Sequence, residues 1–236
     1  MPPELLLHQL VDHLKPVHGL RAIVLGGSYA SGAPRPDSDI DIGLYYDENQ
    51  PLDIGHVRSI ASRINDAQEP TVTDLGGWGT WVNGGAWLTI EGQRVDFLYR
   101  DIDFVSSTID DCNAGHIRSD YWQQPAYGFH SFMYCAETVI CRPLYDPDQV
   151  IERLKAKVAH YSPHLKQAII KNFLWSARLK LAADLCDFSL QPANFLERIS
   201  TLLGATGTTS AQLQASLAQT EALYKELATL AKERQG

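Results

Sequence analysis

Residues 27–41 read Gly27-Ser28-Tyr-Ala-Ser-Gly32-Ala-Pro-Arg-Pro-Asp-Ser38-Asp39-Ile-Asp41, so a glycine-serine turn precedes two aspartates that are spaced one residue apart. The apolar runs on either side, residues 21–25 and 40–46, both predict buried strands. Because alternate side chains of a strand share a face, Asp39 and Asp41 are expected to project together. The sequence therefore predicts a strand, a turn and a second strand that presents two carboxylates on one face.

This arrangement indicates phosphoryl chemistry. Two carboxylates only a few ångströms apart repel each other unless a cation lies between them. Hard oxygen ligands suit Mg²⁺, which keeps several waters and completes its shell with phosphate oxygens. The backbone N–H groups and the hydroxyl of the glycine-serine turn can bind phosphate at the start of a following helix. We therefore expect nucleotide phosphates on one side of the site and Mg²⁺ on the other.

The pattern Gly-Ser-x3-Gly-x5-Ser-Asp-x-Asp resembles the signature of the DNA polymerase beta-like nucleotidyltransferase superfamily. That superfamily includes antibiotic nucleotidyltransferases, polynucleotide adenylyltransferases and small antitoxin-type nucleotidyltransferases. Its pattern requires a third carboxylate on a neighbouring strand. The alternating segment Gln93-Arg-Val-Asp96-Phe-Leu-Tyr99 matches this requirement, with Asp96 near its middle.

The resemblance implies a role for each of these residues. Asp39, Asp41 and Asp96 would bind two Mg²⁺ ions, and Asp96 would complete the metal site nearest the attacking hydroxyl and accept its proton. Gly27 and Ser28 would bind the triphosphate of a nucleoside triphosphate. All five positions are therefore candidate site residues.

Two further positions are ambiguous in the sequence. Ser38 either binds the phosphates or braces its own loop. Glu137 lies on a predicted helix among mostly apolar neighbours, so it either faces the cleft or lies at the solvent edge. Some antibiotic nucleotidyltransferases recruit a glutamate from outside the three aspartates as general base, and we include Glu137 as a catalytic candidate on that resemblance.

The tryptophans of the glycine-rich stretch at residues 76–87 also allow two interpretations. Trp78, Trp81 and Trp87 could stack on a nucleobase or a sugar ring, with the glycines allowing a loop to open. We favour the simpler interpretation, in which a hairpin uses these tryptophans to cover the sheet.

We predict an α/β (α+β) fold in which a mixed-sheet, polymerase beta-like catalytic domain at residues 1–115 precedes a C-terminal helical bundle at residues 116–236. After the Asp96 strand the strand signals fade and helical patterns take over. The predicted helices beyond the boundary span residues 127–141, 147–160, 163–187, 193–203 and 209–233.

The composition is that of a soluble globular protein, since 44% of the 236 residues are hydrophobic and 20% are charged. We expect a cytoplasmic protein without a membrane-spanning segment or a secretion signal, whose scattered cysteines stay reduced. The formal net charge of −8 disfavours a polynucleotide as partner and suits a cationic one. A monomer and a homodimer are both compatible with the sequence.

These features together predict transfer of a nucleoside monophosphate from a nucleoside triphosphate to a hydroxyl of a small acceptor, with release of pyrophosphate. The two-domain arrangement is similar to that of aminoglycoside and lincosamide nucleotidyltransferases. One alternative is a toxin-type or regulatory enzyme that modifies transfer RNA or a protein. The other is a non-catalytic nucleotide-binding module.

Overall fold

The computed structural model describes residues 4–66, 69–122 and 128–173, together with the single positions 218 and 222. The chain divides into two compact units, Met1–Ser162 and Pro163–Gly236. In the second unit residues 163–173 are helical. The rest of the predicted helix at 163–187 lies outside the described residues, and so do nearly all of those at 193–203 and 209–233.

A six-stranded mixed sheet organises the first unit, and a two-stranded ribbon accompanies it. The strands are β1 (Leu20–Leu25), β2 (Ile40–Tyr46), β3 (Thr71–Val72), β4 (Gly85–Ile90), β5 (Gln93–Asp101), β6 (Ser119–Asp120), β7 (Phe129–His130) and β8 (Arg142–Tyr145). The order across the sheet is β3-β4-β5-β2-β1-β8, and β6 pairs with β7. Within the sheet β2 and β5 run parallel, whereas the other neighbours are antiparallel.

Seven helices of the first unit flank these strands. They are α1 (Glu4–Leu14), α2 (Gly27–Ala30), α3 (Ile54–Ile64), α4 (Gly79–Val82), α5 (Ile102–Asn113), α6 (Met133–Ile140) and α7 (Val150–Val158). Helices around a mixed sheet confirm the predicted α/β fold class. No helix among the described residues is both long and apolar enough to cross a bilayer.

The main core lies between one face of the sheet and helices α1 and α3. Leucines at helical spacing on α1 and the buried face of α3 pack on alternate residues of β2 and β5. The buried members include Leu7, Leu10, Leu14, Val57, Ile60, Ile40, Ile42, Leu44, Val95 and Phe97. Burial of the even-numbered β2 residues on this face leaves Asp41 on the other.

Two local features define elements next to the strands that carry the candidate site. Asp53 caps α3 by accepting a hydrogen bond from the backbone N–H of His56 at 2.9 Å. The β4–β5 hairpin turns at Glu91 and Gly92, which both have positive φ angles, 53° and 75°, as a two-residue type I′ turn requires. Asp66 accepts a hydrogen bond from each of their backbone N–H groups at 2.8 Å.

The predicted helix at 127–141 is correct only in its second half. Residues 129–130 form β7, which pairs with β6, and α6 begins at Met133. Phe129 is buried and stacks on Trp81 with ring centroids 5.2 Å apart, so tertiary packing outweighs the local helical pattern. Strand β8 was not predicted, because a four-residue edge strand that contains a proline gives a weak sequence signal.

The sequence predicts a domain boundary at residues 115–116, where the strand signals fade. The compact unit of the structure continues to Ser162 and includes α6, β8 and α7. Strand β8 pairs with β1, so a segment beyond residue 115 completes the edge of the sheet. Where the catalytic domain ends in a functional sense stays a prediction.

We expect Ile42→Ala to lower the free energy of unfolding by about 2–5 kcal/mol, because it removes a fully buried β2 side chain and leaves a cavity. Leu5→Ala on α1 is the matched control. Leu5 is 71% exposed, so its replacement should change stability by no more than about 0.5 kcal/mol. Urea unfolding followed by circular dichroism measures both. Equal losses would contradict the packing described here.

Candidate active site

Asp41 and Asp96 lie directly opposite each other on the two parallel strands of the sheet. Asp41 of β2 and Asp96 of β5 are register partners, so their Cα atoms are about 4.8 Å apart and their side chains share a face. Asp39 comes one residue before β2 and lies on the same side by alternation. The structure thus brings together the three carboxylates that the sequence singled out.

The electrostatics of Asp41 show that this cluster carries unbalanced negative charge. Burial raises the pKa of Asp41 from its ordinary value to about 6, and the charges of Asp39 and Asp96 act in the same direction. A buried carboxylate beside like charges resists ionisation. A cation bound among these side chains would relieve that repulsion.

Asp96 lies on β5, which is paired with β4 on one side and with β2 on the other. Burial raises its pKa to about 6, helped by the charge of Asp39 and opposed by Arg94 and by a hydrogen bond from the side chain of Trp87. Trp87 is the register partner of Asp96 on β4, so the indole N–H reaches the carboxylate across the antiparallel pair. Trp87 is therefore a residue of the site.

The loop that carries Asp39 is fastened to the start of β5. The side-chain amide of Gln93 donates to the backbone carbonyl of Ser38 at 2.9 Å, and the guanidinium of Arg94 donates to the carbonyl of Asp37. Arg94 Nη2 also lies 4.0 Å from Oδ2 of Asp39. These contacts hold Asp39 beside Asp96 although the two residues come from different elements.

The glycine turn lies against Asp41. The backbone N–H of Gly26 donates to the carbonyl oxygen of Asp41 at 2.8 Å. Gly27 has a φ of 59°, and a Cβ placed on it would overlap Oδ2 of Asp41. Only glycine suits both the backbone conformation and the space at this position. The N–H groups of Gly27 and Ser28 begin α2, so they have no acceptor within that helix and are available to a ligand.

The two serines of the motif differ in their surroundings. The carbonyl of Ser28 accepts a hydrogen bond from the hydroxyl of Ser31 at 3.0 Å, inside the α2 turn. The hydroxyl of Ser38 accepts one from the backbone N–H of Arg35 at 2.9 Å. Ser38 therefore braces its own loop in this structure, and its hydroxyl hydrogen can still be donated to a ligand. A role in phosphate binding stays a prediction for both.

Glu137 of α6 lines the same cavity as Asp41, and its negative charge helps to raise the pKa of Asp41. Its partner is Arg100 of β5, whose Nη2 lies 3.1 Å from Oε2 of Glu137. Arg100 is only 5% exposed, whereas the Glu137 side chain is 37% exposed. The sequence allowed Glu137 either to face the cleft or to lie at the solvent edge. The structure adds that the Glu137 carboxylate is held in place by the buried guanidinium of Arg100.

Three residues of this site were not predicted from the sequence, namely Trp87 as a partner of Asp96, Arg94 and Arg100. A signal for the two arginines was present, because residues 94, 96, 98 and 100 alternate onto one face of a strand. Trp78 and Trp81 have other surroundings. Trp78 contacts Trp87 edge to face with centroids 4.4 Å apart, and Trp81 is buried among aromatic rings.

The donor set suits Mg²⁺ in its chemistry, since all three candidate ligands are carboxylates. The described chain contains no set of three His, Cys, Asp or Glu side chains already drawn together as a metal site. Asp39, Asp41 and Asp96 would hold Mg²⁺, which would neutralise the charge of their carboxylates. Two Mg²⁺ ions at this position therefore stay a prediction.

Comparison with known proteins agrees with the first part of this site. Residues 8–75 match the family model described as polymerase beta, nucleotidyltransferase. This segment contains the glycine turn, Asp39 and Asp41, whereas Asp96 and Glu137 lie beyond it. The match supports a polymerase beta-like nucleotidyltransferase domain and, at that level, nucleotidyl transfer. No curated protein matches the chain.

We expect Asp41→Asn to stabilise the protein in EDTA at pH 8 by about 2 kcal/mol, because the raised pKa makes the ionised form unfavourable in the folded state. The gain should shrink as the pH falls from about 6 to about 4, where the native carboxyl is protonated. Asp37→Asn, on the exposed part of the same loop, should change stability by at most about 0.5 kcal/mol. Thermal unfolding across pH measures both, and a gain independent of pH would contradict the repulsion.

We also expect Gly27→Ala to act through Asp41. Both Gly27 and Gly32 have positive φ, but a Cβ at Gly32 has no atom within 4 Å. Gly32→Ala should therefore cost only backbone strain, about 1 kcal/mol. Gly27→Ala should cost more, and combination with Asp41→Ala should reveal a coupling energy of about 0.5–3 kcal/mol that Gly32→Ala lacks. Additive effects in the double-mutant cycle would disprove the contact.

Proposed function

We propose that this chain is a Mg²⁺-dependent nucleotidyltransferase that transfers a nucleoside monophosphate from a nucleoside triphosphate to a hydroxyl of a small acceptor, releasing pyrophosphate. The observation that carries the proposal is the register pairing of Asp41 with Asp96 beside the Gly27 turn. The carboxylates of Asp41 and Asp96, which could bind cations, thus lie beside the free N–H groups of the Gly27 turn, which could bind phosphates. The family match over residues 8–75 supports the same reaction class.

In this proposal Asp39, Asp41 and Asp96 hold the metal, which when bound neutralises charge on the phosphates and favours the attacking oxygen. The contribution of the chain is to fix these carboxylates before the substrate arrives. Gln93 and Arg94 anchor the loop of Asp39, and Trp87 orients Asp96. Such positioning accounts for much of the catalysis in phosphoryl transfer.

The glycine turn would bind the triphosphate. The N–H groups of Gly27 and Ser28 point out of the first turn of α2, and glycine at position 27 lets phosphate oxygens approach the backbone closely. Ser38 would add a hydroxyl from the facing loop. The proton of the attacking hydroxyl would pass to a carboxylate, and the two candidates are Asp96 and Glu137.

Charge supports a small acceptor over a polynucleotide. The net charge is −8, and the site has carboxylates on both walls. Arg100, the cation nearest Glu137, is buried in an ion pair and does not offer its charge to solvent. Binding to a nucleic acid draws on exposed cations that contact phosphates. A hydroxylated acceptor that is neutral or cationic suits these surroundings.

Label transfer tests this proposal. The protein is incubated with Mg²⁺ and each α-labelled nucleoside triphosphate, together with aminoglycosides, lincosamides, transfer RNA or cell lysate in turn. We expect label in a small molecule, and a loss of at least about 100-fold in Asp41→Asn, since even residues that merely support a metal ligand cost 10- to 100-fold. Asp37→Asn should transfer normally.

The other outcomes separate the alternatives. Label in transfer RNA or in protein would replace the small acceptor by a macromolecule. Transfer by Asp41→Asn at the native rate would contradict the metal role of the carboxylates. Nucleotide binding without transfer to any acceptor would favour the non-catalytic module.

A further inference from the structure

A small cavity opens next to Asp41 on the face of the sheet that carries the candidate site. Its volume is about 160 Å³, and it lies between the glycine turn at Gly26 and Gly27 and the end of α6 at Ile140. Because a water molecule occupies about 30 Å³, the cavity holds about five non-hydrogen atoms. A single tetrahedral phosphate group has this size.

Residues of β2 form one wall of this cavity. Asp41, Gly43 and Tyr45 alternate onto the same face of the sheet, and all three line the cavity. A Cβ placed on Gly43 would lie 3.1 Å from Cε2 of Tyr45 and 3.7 Å from its Cδ2. The ring of Tyr45 therefore leans back over Gly43, and glycine inside a strand is typical of such a close approach.

The hydroxyl of Tyr45 has no hydrogen-bond partner among the residues that the structure describes. Tyr45 is only 3% exposed, and the small accessible part of its surface opens into the cavity. By contrast, the hydroxyl of Tyr134 on α6 donates to the backbone carbonyl of Trp81. Since buried polar groups are nearly always hydrogen-bonded, the unpaired hydroxyl of Tyr45 indicates that a ligand enters the cavity.

Tyr45 offers a neutral hydrogen-bond donor to that ligand. Burial raises the pKa of the Tyr45 phenol above its ordinary value, so the hydroxyl keeps its proton at neutral pH. Glu137 on the α6 wall already accepts three hydrogen bonds from the buried guanidinium of Arg100, which balances its charge. Gly27, on the adjoining wall, is where the proposed function places the triphosphate. The cavity therefore suits a group that accepts hydrogen bonds and extends from that triphosphate.

We propose that this cavity receives the terminal phosphate of the nucleoside triphosphate, and that the hydroxyl of Tyr45 donates a hydrogen bond to one of its oxygens. A cavity with room for one phosphate admits the end of the chain and excludes an internal phosphate, which continues on both sides. Tyr45 is thus a specificity-determining residue through which the site selects triphosphates over diphosphates. This inference rests on the proposed nucleotidyl transfer, of which it specifies how the triphosphate is recognised.

Tyr45→Phe removes the hydroxyl and keeps the ring. Binding is measured by isothermal titration calorimetry with Mg²⁺, for the nucleoside triphosphate that binds most tightly among ATP, GTP, CTP and UTP and for its diphosphate. We expect Tyr45→Phe to weaken triphosphate binding at least about tenfold, because a hydrogen bond to a charged group is lost, and to leave diphosphate binding unchanged. Equal losses for the two nucleotides, or no loss for either, would overturn the proposal.

Tyr99→Phe is the matched control. The hydroxyl of Tyr99 is also buried without a hydrogen-bond partner in the described part of the chain, but Tyr99 belongs to the core on the other face of the sheet. Neither substitution removes a hydrogen bond within the protein, so both variants should melt within about 2 °C of the native protein. Tyr99→Phe should bind both nucleotides as the native protein does. A loss of triphosphate affinity in Tyr99→Phe as large as that in Tyr45→Phe would contradict a specific role for Tyr45.

Variants of α6 test the place of binding. Ile140→Trp should fill the cavity and lower the triphosphate affinity to that of the diphosphate. Val139→Trp changes the adjacent residue, which is 56% exposed, and should leave both affinities unchanged. Native triphosphate affinity in Ile140→Trp would show that the terminal phosphate lies elsewhere.

Label transfer by the native protein separates this inference from the function on which it rests. If the native protein transfers label and Tyr45→Phe binds the triphosphate as tightly as the native protein does, this inference fails and nucleotidyl transfer stands. If the native protein binds no nucleotide, nucleotidyl transfer fails and this inference fails with it.

Discussion

The repulsion between carboxylates on β2 and β5 is the constraint on which the rest of the site depends. Parallel pairing places Asp41 opposite Asp96, and burial raises the pKa of each to about 6, with the charge of Asp39 acting in the same direction on both. Such an arrangement costs folding free energy. The surroundings hold it in place, through the indole of Trp87 and the guanidinium of Arg94 at one end of β5.

On the opposite wall of the site, a buried positive charge is neutralised by protein groups alone. Arg100 is buried, and a buried cation is tolerated only when it is paired and fully hydrogen-bonded. Glu137 supplies the pair, and backbone carbonyls supply the remaining acceptors. The ring of Tyr134 lies 5.5 Å from the Arg100 guanidinium and adds a favourable contact. The site thus has one wall on which three carboxylates lie together and one on which a carboxylate is paired with a buried cation.

The sequence predicted the elements that local pattern determines. The strand at residues 21–25, the strand that contains Asp41 and the strand that contains Asp96 are all present in the structure. Partners set by tertiary contact were not predictable, because no local signal pairs Trp87 with Asp96 or Arg100 with Glu137. Strands β7 and β8 were not predicted for the same reason, because each is short and is stabilised by neighbours that are distant in the sequence.

The contact between Gly27 and the carboxylate of Asp41 has a thermodynamic consequence. The glycine turn and β2 touch at this point, and the backbone N–H of Gly26 is hydrogen-bonded to the carbonyl of Asp41. In the proposed reaction, a triphosphate that draws the turn inward also changes the space in which Asp41 meets a cation. Thermodynamic linkage then makes the effect reciprocal. If the bound nucleotide changes the affinity for the cation by some factor, the bound cation changes the affinity for the nucleotide by the same factor. Occupancy of the two subsites would rise together, and the contact would make them a single cooperative binding unit.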